Sequence, residues 1–143
     1  MFRQLVEGVY ASPQIGVDEV ELARAMGIRL IVNNRPEGEE PGQTTGTAIE
    51  AAARAAGIAY VAIPVTHAGF SEPQVSAMAR ALEGATGPVL AYCRSGTRST
   101  LLWALAEASS GADPDELAEA AAAAGYDLAP IRTLLDMLAS RAG

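Results

Sequence analysis

The sequence predicts a single α/β domain over residues 1–143, with a mostly parallel sheet of about four to five strands flanked by helices on both faces. Short apolar runs alternate with helical patterns along the chain, which is the arrangement of βαβ units. Half of the residues are hydrophobic but only 5% are aromatic, and the many alanines favour helices over an all-β fold. A chain of 143 residues is also long enough to bury a core without disulfides or metal.

The strands are recognised as short apolar runs bounded by turn residues. Residues 2–12 predict two short strands joined by a turn at Glu7 and Gly8, and Pro13 ends the second strand. Three later runs are typical of buried strands: 28–32, 58–65 and 88–93. Within the second of these runs, Pro64 marks the end of ladder pairing because proline has no backbone N–H to donate.

The helices are recognised by apolar periodicity and by residues typical of helix ends. Helical patterns cover 18–26, 47–56 and 72–85, and a fourth begins at 99. An alanine-rich helix begins at 113–116 and ends at 124, and the last helix covers 128–141. Ser71 and Ser99 are placed as N-caps, since a serine side chain can accept a hydrogen bond from the first turn. Gly27, Gly57 and Gly125 are natural helix stops.

Three loops follow the three buried strands, at 33–40, 66–71 and 93–98. In parallel sheets, ligands bind outside the carboxyl ends of the strands, so these loops are expected to meet at one edge and to form the functional site. The first of them is long, polar and rich in glycine and proline, which is typical of a functional or mobile loop.

The third loop carries the only cysteine of the chain, Cys93. A strand before it and a helix after it would surround the cysteine with backbone N–H groups and with the positive end of a helix. That field favours a thiolate over a thiol, so Cys93 is the candidate nucleophile. Arg98 has a planar fork that could bind two oxygens of an anion, and Gly96 allows the backbone to approach a ligand closely or to take a positive φ.

The motif Cys93-x-x-Gly96-x-Arg98-Ser99 resembles the active-site loop that cysteine-dependent phosphatases share, with variations, with rhodanese-type sulfurtransferases. From residue 2 to about residue 132, the chain resembles the phosphatase-like domain of beta-lactamase hydrolase-like proteins, on the segments 32–40, 60–65 and 93–103. The resemblance implies a protein-tyrosine-phosphatase-like fold. It also implies a hydrolase that acts on a phosphate monoester through a covalent Cys93 intermediate; we expect no metal and no cofactor.

The resemblance implies further roles around the cysteine. The segment Arg94-Ser95-Gly96-Thr97 supplies backbone N–H groups to the bound anion, with the Arg94 side chain at the substrate rim. Ser99 stabilises the thiolate leaving group. His67 stands where phosphatases usually carry an aspartate as general acid, and an imidazole can donate a proton near neutral pH; the alternative is a surface histidine without a role.

The first loop adds the candidate anion-binding residues Asn33 and Arg35. Arg35 could bring a second positive charge to a substrate, or it could pair with one of the nearby carboxylates and hold the loop; we favour the pairing. Glu37 is the reserve acid if His67 lies far from the site. Core packing is expected for Tyr10, Tyr60, Leu102, Trp103, Leu105 and Tyr126.

The length of the cysteine loop leaves a second reaction open. Four residues separate Cys93 from Arg98, one fewer than is typical of the phosphatases. A shorter ring offers fewer amides and suits a persulfide, so the alternative is a rhodanese-like sulfurtransferase that carries a Cys93 persulfide. The missing aspartate points the same way, whereas the order of elements and Ser99 favour the phosphatase. A third alternative is an inactive module that binds a phosphorylated or persulfidated partner.

The composition argues against some classes of partner and indicates the compartment in which we expect the protein to act. The net charge of −7, without a cluster of lysine and arginine, argues against a nucleic-acid partner. No apolar run approaches the roughly 20 residues of a membrane span, and the N-terminus lacks the apolar core of a signal peptide. A lone thiol suits a reducing compartment, so we expect a cytoplasmic protein that acts on a small anionic substrate.

Overall fold

Five strands and six α-helices alternate along the chain in the computed structural model, which describes residues 1–142. The strands are β1 Arg3–Val6, β2 Val9–Ser12, β3 Leu30–Asn33, β4 Ala59–Ala62 and β5 Val89–Tyr92. The helices are α1 Val17–Ala25, α2 Gly46–Ala55, α3 Glu72–Gly84, α4 Thr97–Ser109, α5 Pro114–Ala123 and α6 Arg132–Ala142, and a 3-10 turn over Ala129–Ile131 precedes the last. The predicted α/β class is confirmed.

One sheet joins the strands in the order β1-β2-β5-β3-β4. β2, β5, β3 and β4 run parallel, and β1 pairs antiparallel with β2 as the first hairpin. β5 lies at the centre, where Ala91 pairs with Ala11 of β2 on one side and with Val32 of β3 on the other. The residues that follow β5 therefore emerge between the ends of two neighbouring strands, where ligands bind in parallel sheets.

Side-chain alternation along the strands builds two cores, one on each face of the sheet. In β3, Leu30 and Val32 join the larger core with α3, α4, α5 and α6, whereas Ile31 joins the smaller core with α1 and α2. Helices thus cover both faces, as predicted. α4 contacts α3, α5 and α6, and its residues Leu102, Trp103 and Leu105 are buried, which confirms their expected place in the core.

Three predicted boundaries are wrong. The last helix, predicted from 128, begins at Arg132, because residues Ala129–Ile131 form a 3-10 turn instead. The strand predicted over 58–65 is regular only over β4. Beyond it, the backbone N–H groups of Ile63 and Val65 still donate to the carbonyls of Asn33 and Asn34 at 2.9 Å, but Pro64 between them has no N–H to donate.

α4 begins at Thr97 and not at Ser99, since its N-cap is Gly96 in the left-handed conformation, with φ 92°. Ser99 instead lies buried in the first turn of the helix.

The helix starts predicted for α3 and α5 are confirmed. Ser71 and Gln74 form a capping box, in which each side chain accepts a hydrogen bond from the other residue's backbone N–H. Asp113 caps α5 by accepting from the backbone N–H of Asp115 at 3.0 Å. Among residues 1–142, no helix combines the length and the apolar character that crossing a membrane requires.

Candidate active site

Cys93 follows β5 directly and precedes α4, in the strand–loop–helix arrangement that the sequence predicts. Its backbone N–H donates to the carbonyl of Ser12 at 3.3 Å, which fixes it against the end of β2. The Cys93 thiol lies below the loop with no exposed surface. The backbone N–H of Gly96 donates to Cys93 Sγ at 3.1 Å, so at least one amide of the loop points at the sulfur.

The rim of the loop is formed by three exposed residues, Arg94, Ser95 and Thr97. Ser95 Oγ donates to Thr97 Oγ1 at 3.0 Å and accepts from the Thr97 backbone N–H at 3.3 Å. The Thr97 N–H is the first of α4 and has no partner within the helix, so a bound anion could use it as a donor. The Ser95 hydroxyl oxygen occupies the position that an anion oxygen would take at this donor. The Arg94 side chain points outward, with its Nη2 3.6 Å from Glu40.

Arg98 is fixed by two partners that leave one edge of its guanidinium free. Its Nη1 and Nη2 donate to the two oxygens of Glu39 at 2.7 and 2.8 Å, and Nη1 also donates to the Val65 carbonyl at 2.7 Å. Arginine has five N–H donors, and the two left over are Nε–H and one Nη2–H, which lie side by side. Neither has a hydrogen-bond partner among residues 1–142, so both donors remain available to two oxygens of an anion.

Glu39 is shared by two arginines. Besides the two hydrogen bonds from Arg98, its Oε1 accepts from Arg35 Nε at 2.8 Å. These cations, Arg98 first, lower the pKa of Glu39 from 4.5 to about 2. The hydrogen bonds that Arg98 donates to Glu39 in turn raise the pKa of Arg98. The ion pair therefore stays charged at any pH near neutrality.

Arg35 and Asn33 hold the first loop from within. Arg35 is almost fully buried and donates to Glu39, to Glu40 at 2.8 Å and to Gln14 at 3.1 Å, which confirms the favoured pairing with carboxylates of its own loop. Asn33 Oδ1 accepts from the Arg35 backbone N–H at 2.9 Å. Asn33 Nδ2 donates to the hydroxyl of Tyr60 at 3.0 Å. Anion binding by either residue stays a prediction.

Ser99 is committed to a neighbour other than the sulfur. Its Oγ donates to Asn34 Oδ1 at 2.8 Å, and Asn34 Nδ2 donates to the Ile63 carbonyl at 2.9 Å. This chain of hydrogen bonds ties the first turn of α4 to the ends of β3 and β4. Ser99 can donate a hydrogen bond to the Cys93 sulfur only if its contact with Asn34 breaks.

The two candidate acids make no hydrogen bond to the cysteine loop. His67 is exposed, although Val65, two residues before it, contacts Arg98. Glu37 instead accepts from the backbone N–H of Gly46 at 2.5 Å and so caps the start of α2. Within residues 1–142, no cluster of three or more His, Cys, Asp or Glu side chains could hold a metal ion.

Comparison with known proteins decides the family. The family model for the phosphatase-like domain of beta-lactamase hydrolase-like proteins matches residues 1–110. The chain belongs to this family. One member, the beta-lactamase hydrolase-like protein of Xylella fastidiosa strain 9a5c, is 40% identical over 131 residues, which are 91% of this chain and 30% of that protein. The chain thus spans less than a third of the length of the curated relatives it matches.

Solved structures show the fold of this phosphatase-like domain. A provisionally assigned phosphatase of Neisseria meningitidis is 36% identical and superposes with a TM-score of 0.83, covering 95% of this chain and 96% of that chain. P. aeruginosa TpbA, solved in complex with pTyr, superposes with a TM-score of 0.68 at 18% identity, covering 99% of this chain and 89% of that chain. The protein-tyrosine-phosphatase-like fold expected from the resemblance is confirmed.

Sequence reasoning missed the contact of Tyr126 with the cysteine loop. The Tyr126 hydroxyl donates to the Ser95 carbonyl at 3.3 Å, and it would lie 2.2 Å from a Cβ placed on Gly96. No local signal indicates this contact, because Tyr126 simply follows the glycine that stops α5. It also lies beyond residues 1–110, which the family model matches.

Proposed function

We propose that this phosphatase-like domain is a cysteine-dependent phosphatase, which hydrolyses phosphate monoesters through a covalent phospho-Cys93 intermediate. The free edge of Arg98 carries the proposal: Glu39 and Val65 fix the guanidinium and leave two parallel N–H donors unused. Parallel donors on the same loop as a thiol suit a group with equivalent oxygens, such as a phosphoryl group. The family and the fold support a phosphatase-type hydrolase.

The proposed reaction has two steps. Cys93 Sγ attacks phosphorus, an S–P bond forms, and the bond from phosphorus to the alcohol oxygen breaks. Water then attacks the same phosphorus, the S–P bond breaks, and inorganic phosphate leaves the restored thiolate. In both steps Arg98 and the amides of the loop bind the oxygens over which the negative charge of the transition state is spread.

The alcohol oxygen needs a proton as it leaves. His67 is the only histidine, and it lies on the loop whose Val65 carbonyl contacts Arg98, so it is the proposed donor. Glu37 is less suited to this step because its carboxylate is engaged with the start of α2.

The enclosed thiol adds a requirement for access. Because Cys93 has no exposed surface, the rim of the loop must widen before a phosphoryl group can reach the sulfur. Ser95 and Thr97 are the exposed rim residues, and their hydroxyl pair spans the turn. An anion that accepts from the Thr97 N–H replaces the Ser95 hydroxyl there. Ser95 then moves away from Thr97, so binding of the anion and widening of the rim occur together.

Persulfide transfer is the second candidate, favoured by the short loop and the enclosed thiol. Cys93 Sγ attacks the outer sulfur of a donor such as thiosulfate, and a new sulfur–sulfur bond forms. The donor's own sulfur–sulfur bond breaks, and sulfite leaves with its electron pair. The outer sulfur stays on Cys93 as a persulfide until a nucleophilic acceptor attacks it and restores the thiolate. A single sulfur atom needs less room above Cys93 than a phosphoryl group does. Four residues between Cys93 and Arg98 would suffice to surround it.

A side-by-side assay distinguishes the two reactions. The purified domain is tested on p-nitrophenyl phosphate and on thiosulfate with cyanide; an aryl phosphate is the first probe because the fold neighbour TpbA was solved with pTyr. We expect phosphate release from the aryl ester, abolished by Cys93→Ser. Sulfur transfer without phosphatase activity would favour the second candidate, and the absence of both activities would contradict both.

The role of His67 is tested with leaving groups of different acidity. If His67 donates the proton, His67→Ala should slow alkyl phosphates much more than p-nitrophenyl phosphate, because nitrophenolate leaves without a proton. Sulfur transfer should change by less than about tenfold, since the sulfite leaving group needs no donor. Equal slowing of every phosphate ester would contradict proton donation by His67.

A further inference from the structure

Tyr126 lies at the junction between α5 and α6, outside the residues 1–110 that the family model matches, yet its hydroxyl reaches the cysteine loop. We propose that Tyr126 is a positioning residue, whose hydroxyl holds the Ser95–Gly96 peptide so that the Gly96 N–H faces Cys93 Sγ. This inference rests on the proposed use of Cys93 as a nucleophile.

The geometry of one peptide group links the tyrosine to the sulfur. The Ser95 carbonyl accepts from the Tyr126 hydroxyl at 3.3 Å, and the Gly96 N–H of the same peptide donates to Cys93 Sγ at 3.1 Å. In a planar trans peptide, the C=O and the N–H point in opposite directions. One orientation of the peptide therefore makes both hydrogen bonds, and a flipped orientation makes neither.

Gly96 is the reason why the peptide needs a support. Its φ is 92°, and glycine adopts positive and negative φ almost equally well, so the backbone itself resists a flip only weakly. The Tyr126 hydroxyl lies so close to Gly96 that a Cβ there would be 2.2 Å from it. The tyrosine thus covers the outer side of the one residue of the loop that has no side chain.

Tyr126 is itself anchored from its far side. Its backbone N–H donates to the Ala121 carbonyl at 2.8 Å. The guanidinium of Arg3, in β1, lies 5.4 Å from the centre of the tyrosine ring, and Arg3 Nη1 donates to the Ala124 carbonyl at 3.0 Å. Burial raises the pKa of Tyr126, so the hydroxyl remains a donor well above neutral pH. The ring is therefore held between β1 and the cysteine loop.

The test removes the hydroxyl alone. Tyr126→Phe is compared with wild type and with Tyr10→Phe, which deletes a hydroxyl that makes no hydrogen bond within residues 1–142. Alkylation of Cys93 by iodoacetamide is followed against pH, and kcat and KM are measured with p-nitrophenyl phosphate. The pH dependence of the alkylation rate is sensitive to the hydrogen bond from the Gly96 N–H to the sulfur. It can be measured whether or not the protein hydrolyses phosphate esters.

We expect the alkylation profile of Tyr126→Phe to move to higher pH, because the sulfur loses a hydrogen-bond donor that favours its charged form. Its kcat should fall about 5- to 10-fold with little change in KM, the size of effect that one neutral hydrogen bond supplies. Tyr10→Phe should change neither. Superimposable alkylation profiles for Tyr126→Phe and wild type would overturn the proposal. A shifted profile without phosphatase activity in any variant would uphold it and contradict the proposed function instead.

Discussion

Glu39 is the carboxylate that binds both buried or partly buried arginines of the candidate site. Its carboxylate, only 16% exposed, accepts hydrogen bonds from Arg35 and Arg98. Removing one partner of such a partly buried ion pair destabilises the fold, because an uncompensated charge is left behind. Glu39 leaves the Nε–H and one Nη2–H of Arg98 without a hydrogen-bond partner. Its effect is to fix the direction in which these two donors point.

The first prediction concerns activity. Glu39→Gln keeps the size of the side chain and removes its charge, so Arg98 loses its bidentate partner and its orientation. We expect kcat/KM for p-nitrophenyl phosphate to fall about 10- to 100-fold. Glu40→Gln is the matched control, because its more exposed carboxylate bonds Arg35 but not Arg98; it should stay within about threefold of wild type. Equal losses in both variants would mean that the charge of the loop, and not the contact with Arg98, sets the activity.

The second prediction concerns stability against pH. The pKa of Glu39 is lowered from 4.5 to about 2 in the folded protein, so its contribution is complete above pH 4.5 and is lost as the pH falls toward 2. The free energy of unfolding of wild type should therefore exceed that of Glu39→Gln most at neutral pH, and the difference should shrink below pH 4.5. Urea unfolding of both proteins across this range measures it. A difference that is constant with pH would contradict the assigned ion pairs.

At the scale of the element, the turn from β5 into α4 shows which features a local sequence pattern can predict. The elements themselves were predicted, but the residue at which the helix begins was not. The apolar run before Cys93 and the helical pattern after it correctly predicted a strand, a tight loop and a helix, because these are local features. Ser99 is typical of an N-cap, yet Gly96 takes that position because its φ of 92° turns the chain into the helix earlier. The sequence indicates that Gly96 can take a positive φ, but it does not show that this φ begins the helix before Ser99.

The third prediction tests this turn. Gly96→Ala should destabilise the domain and abolish activity, because the alanine is strained at positive φ and its Cβ would lie 2.2 Å from the Tyr126 hydroxyl. Gly111→Ala is the matched control: its φ is also positive, 102°, but nothing lies within 4 Å of the added Cβ. The control should lose about 1–2 kcal/mol with activity intact. Equal stability and activity of the two variants, in thermal unfolding and in the phosphatase assay, would contradict the close approach of Tyr126.

At the scale of the whole molecule, the parallel sheet brings distant loops together. The rule that parallel strands share one carboxyl edge predicted that the loops after β3, β4 and β5 meet. Arg98 indeed contacts Glu39 and Val65, which lie 59 and 33 residues before it. The rule does not specify which side chains pair, because many loop paths satisfy it. The Tyr126 contact depends in addition on how α5 and α6 pack, which no local pattern of this sequence describes.

The last prediction follows from this convergence of loops. A ligand that binds only the folded state raises the free energy of unfolding, by about 2.7 kcal/mol at a hundred times its Kd. Inorganic phosphate should therefore raise the thermal midpoint of wild type, relative to sodium chloride at equal ionic strength. Arg98→Lys keeps the charge but lacks the two parallel donors, so its midpoint should respond much less.

Protection of the thiol provides the second readout of the same experiment. Phosphate seated in the loop should slow the alkylation of Cys93 in wild type and much less in Arg98→Lys, because only wild type offers the free Nε–Nη2 edge. An equal rise of the midpoint in both proteins would mean that phosphate acts on the protein surface in general. A rise in wild type without protection of Cys93 would place the anion outside the loop, and the proposed seat beside the sulfur would then be wrong.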